Sequence, residues 1–264
     1  MNQVIVITGG TSGIGLETAR ALAAQGCTVY ELSRRDQGAA PGVRHITADV
    51  TDERQVSAAV ERIVSDAGRI DVLINNAGFG ISGAIEFTDT RDAQRQFDVN
   101  FFGMVRMNRA VLPVMRRQGG GRIISMSSVA APIAIPFQAY YSASMAAVRT
   151  YMLALASEVR PYGIETCTIM PGDIATGFTA ARRKNPAGDE EYGGRISRSV
   201  AVMEHDEQTG ISAADAGAFV AKKALQQRVP VLCTLGGKYK VFVFLTRLLP
   251  NRLMVWLVGQ IYAK

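Results

Sequence analysis

"VITGGTSGIGLETARAL", residues 6–22, sets Gly9, Gly13 and Gly15 directly after a β-branched apolar run and at the start of a segment with helical periodicity. A strand that turns into a helix here aims backbone N–H groups and the positive end of the helix at one small volume, which suits a pyrophosphate. Glycine serves because a backbone without Cβ lets an anion approach closely. The spacing is GxxxGxG rather than GxGxxG, so the position after a strand carries the reading more than the glycines alone.

The same alternation continues along the chain. "QVIVIT" (3–8), "CTVYELS" (27–33), "VRHITAD" (43–49), "IDVLINN" (70–76), "RIISMSS" (122–128), "IETCTIM" (164–170) and "VPVLC" (229–233) read as strands. They are mostly continuous apolar runs, as expected of a parallel sheet buried on both faces. Between them lie segments with apolar residues every three or four positions, such as "LETARALAAQG" ending at Gly26 and "RQVSAAVERIVSDAG" ending at Gly68, where glycine marks a helix stop. Strand–helix alternation predicts βαβ units and an α/β, doubly wound sheet. Residues 177–210 form the longest irregular stretch, read either as a flexible lid or as a surface excursion with a short helix.

The chain has 264 residues and is 48% hydrophobic, enough for one sizeable core. The formal charge is +6. Its lysines and arginines are scattered as on a solvated surface, apart from Arg34-Arg35 and Arg182-Arg183-Lys184, so no nucleic-acid partner is expected. Cys27, Cys167 and Cys233 are odd in number and far apart, which argues against a disulfide framework and fits a reducing cytoplasm. His45 and His205 are the only histidines, so no metal site is expected. The start "MNQVIVITGG" lacks the pattern of a secretory signal.

The end of the second strand bears on cofactor choice. An acidic residue there would accept hydrogen bonds from a ribose 2′-OH, but this chain has Ser33-Arg34-Arg35. The guanidinium fork of Arg34 suits a 2′-phosphate, which favours NADP(H). Glu31, two residues earlier, would favour NAD(H) if it reached the ribose, and a purely solvating pair of arginines is the plainer alternative.

These elements stand in an order that resembles the short-chain dehydrogenase/reductase family over roughly residues 3 to 235. They are "TGGTSGIG" (8–15), "ADV" (48–50), "NNAG" (75–78), "VNFFG" (99–103), "SMSSVAA" (125–131), "YSASM" (141–145) and "PGDIATGF" (171–178). The resemblance implies a Rossmann-like fold, a doubly wound seven-stranded parallel sheet with helices on both faces, in one domain spanning 1–264, its core about 3–235 and an apolar extension over 236–264. It implies that Gly9, Thr11, Ser12, Gly13, Ile14 and Gly15 hold the pyrophosphate, with Ser33, Arg34 and Arg35 at the 2′ position. Asp49 would hold the adenine amino group beside Val50. Asn75, Asn76, Ala77 and Gly78 would line the ribose side. Pro171, Gly172, Ile174 and Thr176 would pack against the nicotinamide. Tyr141 would be the general acid or base, and Ser128, thirteen residues earlier, would hydrogen-bond the substrate oxygen. Asn100 would support a proton-relay water. A homodimer or homotetramer packed through helices near 89–117 and 140–158 is also implied. Tyr140 remains open as a core or wall residue, and Ser127 as a backbone-bonded one.

The family pattern has lysine four residues after the tyrosine, on the same helix face. A free phenol titrates near 10 and is a poor base at neutral pH, and a neighbouring ammonium corrects this. Here the position holds Met145, whose thioether has no charge. The expected consequence is activity reduced by on the order of 10²–10⁴ relative to Met145→Lys. Met145 is then either an engineered near-isostere, favoured because the other elements are intact, or the natural residue of a non-catalytic NADP(H)-binding or sensor protein.

"FGISGAIEF" (79–87) and "APIAIPFQAY" (131–140) would wall the substrate pocket without a charged anchor, which predicts an apolar alcohol or ketone. The tail "KYKVFVFLTRLLPNRLMVWLVGQIYAK" (238–264) is apolar with basic edges and is split by Pro250. Neither half reaches the roughly 20 residues that span a bilayer. Two helices at a membrane surface, a pocket lid, a dimer interface and core packing all fit. The tail resembles those of family members acting on steroids, retinoids or other lipids, so a hydroxysteroid-type or related lipophilic ketone is expected.

Overall fold

The computed structural model describes residues 3–38 and 40–263. Seven strands form the central sheet: β1 (Val4–Thr8), β2 (Thr28–Ser33), β3 (Val43–Thr47), β4 (Val72–Asn75), β5 (Gly121–Met126), β6 (Ile164–Pro171) and β7 (Leu232–Leu235). Their order is β7-β6-β5-β4-β1-β2-β3, and every neighbouring pair is parallel. The winding reverses between β1 and β4, so the crevice for a ligand opens at the carboxyl ends of these two strands.

β1 shows why the runs are continuously apolar, since all five of its residues are buried. Val4 and Val6 enter one core layer while Ile5 and Ile7 enter the other, as the two-residue period requires. The first layer is covered by α2 (Glu53–Ala67), α4 (Gly103–Arg117) and α5 (Ala139–Val159), which contribute Val60, Met107 and Met152 among others. The second is covered by α1 (Gly13–Ala24) and α8 (Ala213–Leu225) through Leu22 and Val220. Gly217 lets these two helices meet closely: a Cβ there would lie 2.6 Å from the Glu17 backbone.

Helix ends follow their local chemistry. Asp52 accepts from the N–H groups of Arg54 and Gln55 and opens α2, and Gly68 closes it at φ 74°. α3 (Thr90–Phe97) runs into α4 through a π-helical turn, Asp98–Phe102. The last strand differs from its expected span of 229–233. Pro230 has no N–H to give to a ladder, and pairing begins at Leu232 opposite Thr168. Cys167 and Cys233 face each other on β6 and β7 as free thiols, with sulfurs 3.9 Å apart.

Residues 177–210 are an ordered flap containing the single-turn α6 (Phe178–Ala181) and α7 (Arg195–Gln208). Three consecutive basic residues anchor it. Arg182 pairs with Glu207, Arg183 with Asp92, and Lys184 with Glu204. Beyond β7 the tail forms α9 (Gly237–Leu245) and α10 (Asn251–Tyr262). No helix among the described residues is long and apolar enough to cross a membrane.

Candidate active site

A cleft of about 970 Å³ opens at the carboxyl ends of the strands. At one end it is floored by the turn between β1 and α1, where Gly9 and Gly13 adopt φ of 68° and 53°. Asn76 holds this turn: its side-chain amide donates to the carbonyls of Thr8 and Gly9, both at 3.1 Å. The Thr8 hydroxyl accepts from the N–H groups of Asn76 and Ala77, each at 3.0 Å, and so ties β4 to β1. Thr11, Ser12 and Ile14 line the same end, with the amino terminus of α1 aimed into it.

Two expected cofactor contacts are corrected. Gly15 lies behind the turn, where a Cβ would sit 2.4 Å from the Gly9 carbonyl oxygen, so it is a packing glycine rather than a cleft residue. Asn75 is buried in the interior and donates to Asn108 Oδ1 at 2.9 Å and Ser125 Oγ at 3.1 Å. Strand alternation sends neighbours to opposite faces, so Asn76 and not Asn75 faces the cleft.

Ser33, Arg34 and Arg35 rim the next part of the cleft, with Asp49 and Val50 beside them. Arg35 donates to the Thr11 carbonyl at 3.2 Å, while Arg34 projects as an exposed side chain. Thr51 fixes the Asp49 carboxylate through its N–H at 2.9 Å and its hydroxyl at 2.8 Å. Glu31 does not face the cleft. It is 1% exposed, packed against Gly10 and bonded to the His45 ring. Burial raises its pKa, and His45 opposes that shift. The other His45 nitrogen contacts the Arg35 carbonyl at 2.8 Å, so the buried pair backs the arginine loop.

Tyr141 lies in the first turn of α5 and lines the cleft together with Ser128, which follows β5. The Ala130 N–H donates to Ser128 Oγ at 3.1 Å and orients it. Burial pushes the Tyr141 phenol up to about 12; the Ser128 hydroxyl and Arg182 pull it down, and Glu207 and Asp173 push it up. Met145 follows one helical turn later, lines the cleft, and is 5% exposed because its side chain also belongs to the core under α5. Ser127 donates to the Met145 carbonyl at 2.9 Å, a backbone role. Asn100 sits on the π-helical turn. It accepts from the Phe79 N–H at 3.0 Å and donates to the Phe79 carbonyl at 3.0 Å and to Ser144 Oγ at 3.2 Å. Such turns insert one residue into a helix, and this one brings Asn100 to the cleft wall.

Phe79, Ile81, Ile135 and Gln138 form the walls beyond Tyr141, and Pro171, Gly172, Ile174 and Thr176 form the opposite side. Tyr140 does not line the cleft; its hydroxyl lies 3.5 Å from the Ile85 carbonyl. Phe137 holds the wall at φ 57°, an unusual angle for a side-chain-bearing residue, with its ring edge-on to Tyr192 on the flap. Phe178 covers Tyr141 with ring centroids 5.7 Å apart. Glu207, Asp173 and Tyr262 also line the cleft and carry no local sequence signal. The tail is pinned there: Tyr239 of α9 donates to Asp173, and its ring occupies the space a Cβ on Gly172 would need.

Residues 3–187 match the family described as short chain dehydrogenase. The chain belongs to the short-chain dehydrogenase/reductase family. A 3-ketodihydrosphingosine reductase of Bacteroides thetaiotaomicron is 40% identical over 264 residues, covering 99% of this chain and 98% of its own. A short-chain dehydrogenase from Streptomyces avermitilis superposes with a TM-score of 0.82 at 31% identity, over 92% of this chain and 91% of its own. ElxO, solved with NADP bound, superposes at 0.76 with 25% identity, over 91% and 100%. The family is one of oxidoreductases, and a nicotinamide dinucleotide fits the cleft, whose glycine turn leaves no room for a side chain at Gly15 and bends through positive φ at Gly9 and Gly13.

Proposed function

We propose that the protein is an NADP(H)-dependent oxidoreductase interconverting a secondary alcohol and a ketone on a long-chain, lipid-like substrate. The Tyr141–Ser128 pair, set between the glycine-floored half of the cleft and its apolar half, carries this reading. Arg34 and Arg35 rim the cleft while Glu31 is turned away to His45, which supports NADP(H) over NAD(H). Phe79, Ile81, Ile135 and Phe178 suit an acyl chain, and 40% identity over almost the full length with a 3-ketodihydrosphingosine reductase favours such a chain over a steroid.

The cofactor would rest on Gly9, Thr11, Ser12 and Gly13, with Asp49 at its adenine and Ile174 and Thr176 at its nicotinamide. Bound there in reduced form, it would supply hydride to a carbonyl carbon. Ser128 donates a hydrogen bond to the carbonyl oxygen and fixes it. Tyr141 gives its phenolic proton to that oxygen as negative charge develops, which leaves a hydroxyl. A phenol held near 12 is protonated at neutral pH, so the site as it stands favours reduction over oxidation. Met145 supplies neither a charge for the phenolate nor a donor for the ribose, and turnover is accordingly slow.

Met145 also favours a second reading, a non-catalytic NADP(H)-binding or sensor protein. One experiment separates the two. NADPH consumption is followed with a long-chain 3-keto amine and with a steroid ketone, for the protein and for Met145→Lys. Turnover of the long-chain ketone by Met145→Lys supports the enzyme; tight NADPH binding with no turnover by either protein supports the sensor.

A further inference from the structure

We propose that the two tail helices, α9 and α10, form a docking surface for an anionic lipid bilayer. The side chains they bury inward are few: Tyr239 and Val243 from α9, and Val258 from α10. Many other apolar residues of these helices and of the turn between them are exposed. Val241 is 59% exposed, Phe244 55%, Leu248 62%, Val255 72% and Trp256 58%. Aliphatic and aromatic side chains left in water over two adjoining helices mark a surface that another phase or partner covers.

The charge pattern says which. From residue 216 to 264 the sequence holds eight lysines and arginines and no aspartate or glutamate. Lys238, Lys240, Arg247 and Arg252 are exposed on these two helices and the turn between them. Apolar residues interleaved with cations of one sign match an interface of acyl chains beneath anionic headgroups. Two copies meeting through this face would bring like charges together, which argues against a second copy as the occupant. With no described helix able to span a bilayer, the contact is peripheral.

The surface is continuous with the cleft. Tyr262, at the end of α10, lines the cleft, and Arg195 of α7 donates to the Ala263 carbonyl at 2.7 Å. α9 is fixed to the Pro171–Asp173 loop through Tyr239. Docking sets the cleft beside the lipid phase; the docking itself does not depend on turnover, so its test and that of the oxidoreductase reading fail separately.

Trp256 is the only tryptophan in the chain, and its emission reports this face alone. The full-length protein is titrated with phosphatidylcholine vesicles and with vesicles containing about one third phosphatidylglycerol, with sedimentation as a second readout. A blue shift and co-sedimentation with the anionic vesicles, weakened by salt at about 0.5 M, are expected. Each basic residue removed should weaken partitioning about fivefold, so Lys240→Gln with Arg247→Gln loses about 25-fold. Val255→Ser, a surface change, should weaken it further while its melting curve stays that of the parent. No shift and no co-sedimentation with anionic vesicles overturns the proposal. So does a blue shift that grows with protein concentration without vesicles while the mass by light scattering doubles, since a second copy would then cover the face.

Discussion

Placing a cation one helical turn from Tyr141 is the sharpest perturbation available. In the protein as it stands the Tyr141 phenol is held near 12, so at pH 7 only about one molecule in 10⁵ carries a phenolate. Met145 lies one helical turn away and is close to lysine in length. An ammonium about 5 Å from the phenol at an effective dielectric near 20 favours the phenolate by about 3 kcal/mol, or a little over two pK units. Met145→Lys should therefore raise the phenolate fraction by 10²–10³ and alcohol oxidation at neutral pH by on the order of 10²–10⁴. Ketone reduction should gain less, because the neutral phenol already donates; its gain comes from holding the ribose. The assay follows nicotinamide absorbance in both directions at fixed pH, with NADPH affinity and the melting temperature measured alongside. A folded Met145→Lys protein that binds NADPH as the parent does, yet changes by less than about threefold in both directions, refutes the reasoning.

Further outcomes follow from the same geometry. Reduction by the unmodified protein should be flat from about pH 6 to 9, since a phenol raised to about 12 stays protonated there, whereas oxidation should climb about tenfold per pH unit over that range. Arg34→Ala should weaken NADPH about 10- to 100-fold in a binding titration and leave NADH within about threefold, because a charge-assisted contact to a 2′-phosphate is worth about 1.5–3 kcal/mol. Ser128→Ala should lower the reduction rate by about 10²–10³ with the melting temperature unchanged, as the loss of one donor to a developing oxyanion does. Gly15→Ala should destabilise by about 1–3 kcal/mol and lower Tm by several degrees, because its new methyl meets a fixed backbone carbonyl at 2.4 Å.

Where the residues act locally, the sequence carries the structure. β1 and the turn after it are legible because strand, glycines and helix are consecutive, and Gly68 ends α2 as its position predicts. The Tyr141–Met145 relation needs only helix geometry. What the sequence conceals lies across long separations. Asn75 and Asn76 are chemically identical, and only the pleat of β4 decides which faces the cleft. Gly15 belongs to the glycine pattern yet serves packing, which depends on where Gly9 comes to rest. The flap is pinned by Arg182, Arg183 and Lys184, whose partners come from two different helices, so the basic triplet reads as surface until the fold is known. Tyr262 reaches the cleft, and Tyr239 its Asp173 wall, from the tail through tertiary docking that no local pattern encodes.

The most direct test is a single-turnover reaction of preloaded NADPH with a long-chain 3-keto amine, comparing the protein with Tyr141→Phe. Slow oxidation of the bound NADPH that is abolished when only the phenolic oxygen is removed is the predicted result. NADPH that decays equally fast in both proteins would contradict the assignment of Tyr141 as the proton donor.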